Sequence, residues 1–74
     1  MGSDYAIYEL TVPDEWNGRT VGALDIRKRY NLNILVVRGD ELPNIAVSSD
    51  TLLRVGQTIL VLGKWKDVQK CFKI

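Results

Sequence analysis

Residues 25–40 read DIRKRYNLNILVVRGD. Three cations, Arg27, Lys28 and Arg29, precede an aromatic, two asparagines and then four apolar residues in a row. Cations suit the last turn of a helix, where the backbone carbonyls gather negative potential. The apolar run Ile34 to Val37 reads as a strand wanting cover on both faces, because it does not alternate. A basic helix end running into a two-faced strand leaves three uses open for the cations: a nucleic-acid patch, a pocket for a smaller anion, or a solvated helix end.

Working outward, residues 5–12 (YAIYELTV) are rich in β-formers, and Ala6, Tyr8, Leu10 and Val12 share a face at period two. Pro13 ends that strand because it has no N–H to give a ladder. Asn17-Gly18 signals a turn. Thr20 is placed to cap a short helix through residues 21–27, and Gly22 within it implies close packing against a neighbour. Residues 27–30 form its last turn or a second short one. After residues 33–38, Gly39-Asp40 is expected to close a hairpin turn with Gly39 at positive φ, and residues 42–47 to form a broken return strand. Leu52 and Leu53 supply an apolar anchor before a turn at Gly56. Residues 58–63 (TILVLG) are the last strong strand, and Trp65, Val68 and Phe72 recur at helical spacing. The fold class expected is α+β: a small mixed or antiparallel sheet with two short helices, in the order β-α-β-β-β-α.

At 74 residues the sequence reads as one small domain or a piece cut from a longer chain, with Met1-Gly2-Ser3 reading as an expression scar and residues 4–74 as the domain. A core of this size is marginal without help. Cys71 is the only cysteine and histidine is absent, so neither a disulfide nor a zinc site is expected. Oligomerisation remains, and two consecutive-apolar strands with cover for one face make a dimer the expectation. Ten basic against nine acidic residues give a net charge of +1, which argues against a binder of nucleic-acid polymers. No apolar run approaches the roughly 18 residues of a membrane span, and no secretory signal is seen.

Enzymatic chemistry is poorly supplied. Without histidine, the Ser-His and Cys-His nucleophile pairs are unavailable, and no glycine-rich phosphate loop is present. The neighbouring acids Asp14-Glu15 and Asp40-Glu41 read as solvated turn residues. Cys71 reads as a small apolar residue closing the last helix in preference to a reactive thiol. Trp16 and Trp65 read as packing residues in preference to stacking platforms. No enzyme is expected.

The order of the pieces resembles the C-terminal subdomain of RCK proteins, also called the TrkA-C domain. Gly18, Thr20, Leu24, Ile26, Arg27, Asn33, Ile34, Arg38, Asp50, Thr51, Leu53, Gly56, Leu60 and Gly63 carry the resemblance, which extends over nearly the whole chain from Tyr5. Gln57 stands where the family has Asp and is expected to close the same turn. The stretch before Asp50-Thr51 lacks the family's proline. The resemblance implies a dimerising, cytosolic regulatory domain at the inner face of the membrane, joined to a channel or transporter, most often for potassium, without inserting into the bilayer itself. Some members are similar to receptors for cyclic di-AMP, bound on the twofold axis between two copies. On that likeness Arg27 and Asn33 face the phosphates with Ile34 beside them, and Val21 and Ile26 contact the adenines. The other reading is a dimerisation module that couples subunits without a small ligand.

Overall fold

In the computed structural model, which describes residues 4–74, three strands and three short helices build one α+β unit; the suspected scar lies outside the described residues. The strands are β1 (Tyr5–Thr11), β2 (Asn33–Arg38) and β3 (Thr58–Lys64), in the spatial order β1-β3-β2 with both pairings antiparallel. The most apolar strand therefore lies in the centre, and β2 is an edge.

Strand parity sorts the two faces. Tyr8 and Leu10 on β1 lie opposite Val61 and Ile59 on β3, and this face meets the helices. Ile59 and Val61 are buried together with Val12, Leu24, Ile26, Leu32, Ile34, Val37, Leu53, Val68 and Cys71. Ile34 and Val37 both point inward although three residues apart, because the β2–β3 register slips between Ile34 and Val36. A bulge of this kind inserts one unpaired residue and resets the alternation. On the opposite face Ile7, Val36, Leu60 and Leu62 share a side. Ile7 is exposed and the other three are half-buried.

Helix α1 (Val21–Leu24) is capped as expected, with the Thr20 hydroxyl accepting from the Ala23 N–H at 3.1 Å. It stops at Asp25, whose φ of 53° is left-handed, and α2 (Ile26–Tyr30) restarts at once. Of the two forms expected for residues 27–30, a last turn or a second short one, the chain takes the second, beginning at Ile26. Asn31, also left-handed at φ 57°, ends α2. Helix α3 (Trp65–Phe72) buries Val68 and Cys71. Trp65 stands at the rim against Tyr8 (ring centroids 5.1 Å), and Phe72 meets Trp16 at 5.0 Å. Trp16 belongs to a single 3-10 turn, Asp14–Trp16.

Two expectations fail. Residues 42–47 form no strand: Asn44 alone bridges Val37, and its side chain turns back to accept from the Ala46 N–H at 2.9 Å. Pro43 beside it has no donor for a ladder. Nor does Gly39 adopt positive φ. Among the described residues the glycines that do are Gly18 (78°) and Gly56 (95°), and Arg38 is drawn instead into an ion pair with Glu9 at 3.3 Å. The Gln57 expectation holds, since its side-chain oxygen accepts from the Arg54 N–H at 2.7 Å across the Gly56 turn.

Burial pushes the Cys71 thiol from 9.0 up to about 11, against the pull of the Arg29 guanidinium. The folded state thus holds the thiol proton more tightly than the unfolded chain does. That contribution to stability is complete below the unfolded value and is lost as pH rises through the folded one. Urea denaturation is expected to show stability falling between pH 9.0 and about 11, with a shallower fall in Cys71→Ala. Identical slopes in the two proteins would contradict this.

Candidate ligand cleft

Where α1, α2, the start of β2 and the loop at residues 47–49 meet, they enclose an open cleft of about 290 Å³. It is lined by Val21 and Gly22 from α1, Ile26 and Arg27 from α2, Asn33 and Ile34 from β2, together with Asp25, Leu32 and Val47–Ser49. All five residues singled out from the sequence (Val21, Ile26, Arg27, Asn33 and Ile34) border this one cleft, Val21, Arg27 and Asn33 with accessible side chains and Ile26 and Ile34 as buried members of the core. The left-handed Asp25 turns the chain so that Ile26 enters the core while Arg27 stays exposed. Asn31 turns it again, so that β2 starts beside Arg27.

The polar centre of the cleft is a pair: Arg27 Nη2 donates to Asn33 Oδ1 at 2.7 Å. This short contact leaves the remaining N–H groups of the guanidinium and the amide NH₂ of Asn33 free to turn toward an anion. No carboxylate neutralises Arg27 within 4.0 Å among the described residues. Lys28 lines none of this surface. Arg29 lies over the Tyr30 ring at 5.1 Å and donates to the Tyr30 hydroxyl at 3.2 Å, so it is held rather than freely solvated. Arg27 and Asn33 also line a smaller hollow with Tyr5, Asn31, Leu32 and Leu62, which opens on the uncovered face of the sheet.

Gly22, Asp25 and the serines Ser48 and Ser49 escaped the sequence reading as cleft residues. Gly22 did carry a signal, the cost of a glycine in a helix. A Cβ there would stand 3.0 Å from both the Cβ and the carbonyl oxygen of Ser49, and the Gly22 N–H donates to that carbonyl at 2.8 Å. Gly22→Ala gains up to about 1 kcal/mol of helix propensity, but overpacking costs about 1–3 kcal/mol. A net loss is expected on urea denaturation. A stabilised variant would mean that the loop at residues 47–49 yields without penalty.

Residues 6–74 match the TrkA-C domain family. No curated protein sequence gives a match. Among solved structures, the potassium transport protein KtrA, as its RCK C domain in complex with cyclic di-AMP, is 24% identical with a TM-score of 0.87, covering 95% of this chain and 82% of that one. The RCK_C domain dimer of S. agalactiae BusR, also with cyclic di-AMP, is 19% identical at a TM-score of 0.78, covering 96% and 89%. The GsuK RCK domain is 18% identical at 0.80; it covers 96% of this chain, which spans only 16% of the GsuK chain.

Proposed function

The chain belongs to the TrkA-C family of RCK C-terminal regulatory domains, and on that premise we propose that two copies of it bind one cyclic di-AMP across a twofold axis to control an ion transport system, most simply one for potassium. The observation that carries the reading is the convergence of Val21, Ile26, Arg27, Asn33 and Ile34 on one open cleft around the Arg27–Asn33 pair. A cyclic dinucleotide presents two phosphates and two flat bases. A twofold pair presents each side chain twice, so one Arg27 per chain supplies two forked guanidiniums for two phosphates. Val21 and Ile26 furnish the apolar wall that bases require, with Ile34 beside the phosphates. One chain's cleft is open, and a second copy closes it.

The pairing has its own support. Ile7, Val36, Leu60 and Leu62 share the uncovered face of the sheet, and the Arg27–Asn33 pair borders both that face and the cleft. A partner seated there covers apolar surface and completes the ligand site together. Control then follows from differential affinity: the ligand shifts the assembly toward whichever dimer arrangement it binds better. The domain works in the cytosol at the inner face of the membrane, through contact with the channel or transporter subunit. No helix among the described residues is long and apolar enough to cross a membrane.

Calorimetric titration with cyclic di-AMP tests the proposal, with one ligand per two chains as the expected stoichiometry. Absence of heat, with the dimer present by ultracentrifugation, would leave a coupling module without a small ligand. S. agalactiae BusR has also been solved with its promoter DNA, and this chain spans 34% of that chain. The net charge of +1 favours the small dianion here. Steep loss of duplex-DNA binding with salt would speak for the polymer instead.

A further inference from the structure

A second hollow, of about 210 Å³, lies on the other side of α2 from the cleft and shares only Ile26 with it. Helix α2 serves both: residues two apart on a helix do not face the same way, so Arg27 lines the cleft while Arg29 and Tyr30 line the second hollow. Its rim carries Arg19, Arg29 and Lys73, with Glu15 the one acid, and its aromatic wall is Trp16, Tyr30 and Phe72. The only ion pair within 4.0 Å among the described residues joins Arg38 to Glu9, so none of the three rim cations is neutralised. Arg29 is fixed as well as charged. It donates to the Tyr30 hydroxyl at 3.2 Å and to the Leu24 carbonyl at 3.5 Å, and it lies over the Tyr30 ring. Trp16 and Phe72, whose rings meet at 5.0 Å, are half-buried and both line the hollow.

We propose that this hollow is a second anion site, one that takes a phosphate group carried on a flat ring. The Arg19 fork, the N–H groups that Arg29 keeps beyond its two internal bonds, and the Lys73 ammonium outnumber what the single carboxylate of Glu15 can occupy, and forked donors match the oxygens of a phosphate. The ring of the ligand lies against Trp16 and Phe72, where a bare ion gains nothing. The site is independent of the cyclic di-AMP reading, because none of its cations lines the cleft.

The test is a titration of the ¹⁵N-labelled chain with phenyl phosphate, with inorganic phosphate as a parallel arm. Phenyl phosphate is expected to shift the Trp16 indole N–H and the Phe72 and Lys73 amides saturably, and inorganic phosphate to bind more weakly at the same residues. Among the described residues Arg19 and Lys73 donate no side-chain hydrogen bond, and both are exposed, so Arg19→Gln with Lys73→Gln keeps the fold. That double variant is expected to weaken binding by about tenfold, the scale of lost charge-assisted contacts. Shifts that never saturate, shifts confined to Asn33 and Ser48, or an unchanged affinity in the double variant would overturn the proposal. Equal affinity for inorganic phosphate would overturn its ring component.

Discussion

Arg27→Ala is expected to weaken cyclic di-AMP binding about a thousandfold or more, since removing one partner of a desolvated charge pair costs about 2–5 kcal/mol and the twofold axis doubles the loss. The thermal midpoint of the ligand-free domain is expected to hold. Arg27 is exposed, and among the described residues its one side-chain hydrogen bond goes to Asn33, so the fold loses no buried contact with it. Lys28→Ala supplies the comparison, because Lys28 carries the same charge one residue away and lines no part of the cleft. A purely electrostatic attraction for a dianion would make the two variants alike. A directed guanidinium makes only the first harmful, and calorimetry on both decides between them. Equal affinities for wild type and Arg27→Ala would remove Arg27 from the site.

How far the sequence could be read depended on the kind of signal each residue gave. Strands β2 and β3 were legible because runs such as ILVV and ILVL have few other uses in a chain this short. The inward-facing members of ILVV were not, since a continuous apolar run carries no parity and only the bulge brings Ile34 and Val37 to one side. Thr20 as a cap and Gly22 as a close approach followed from local stereochemistry, and both are seen. A second short turn was one of the forms expected, but its start at Asp25 was hidden because a left-handed turn at a residue other than glycine leaves no compositional mark; aspartate is merely tolerant of it. Residues 42–47 misled by the reverse route: Leu42, Ile45 and Val47 look like a strand, yet Pro43 and the inward turn of Asn44 leave Leu42 and Ile45 91% and 80% exposed. In the cleft, the residues named in advance came from the ordered resemblance. Asp25, Ser48 and Ser49 became visible only once the loop at residues 47–49 was seen folded against α1.

The adjacent leucines of the TLLRVG segment should respond oppositely to truncation. Leu53 is fully buried, and its backbone locks the segment to the turn before α1: the Leu53 N–H donates to Arg19 at 2.9 Å and its carbonyl accepts from Gly18 at 2.8 Å. Leu52 is 41% exposed. Leu53→Ala is expected to cost about 2–5 kcal/mol from lost burial and the cavity left behind. A domain of this length has in total about 4–11 kcal/mol, so the thermal midpoint should fall by about 10 °C or more, while Leu52→Ala moves it only slightly. Equal shifts in the two variants would show that the core does not depend on this anchor. The same experiment reaches the ligand, because the anchored segment follows directly on Val47–Ser49, which walls the cleft. Cyclic di-AMP at a hundred times its dissociation constant contributes about 2.7 kcal/mol to any protein whose folded state binds it. If truncation costs stability but spares the wall, saturating ligand returns much of the lost midpoint. If Leu53 holds the wall in place, the affinity falls with the stability, and at the same ligand concentration the midpoint recovers less than in wild type. The second outcome is expected, because only a short turn separates the wall from its anchor.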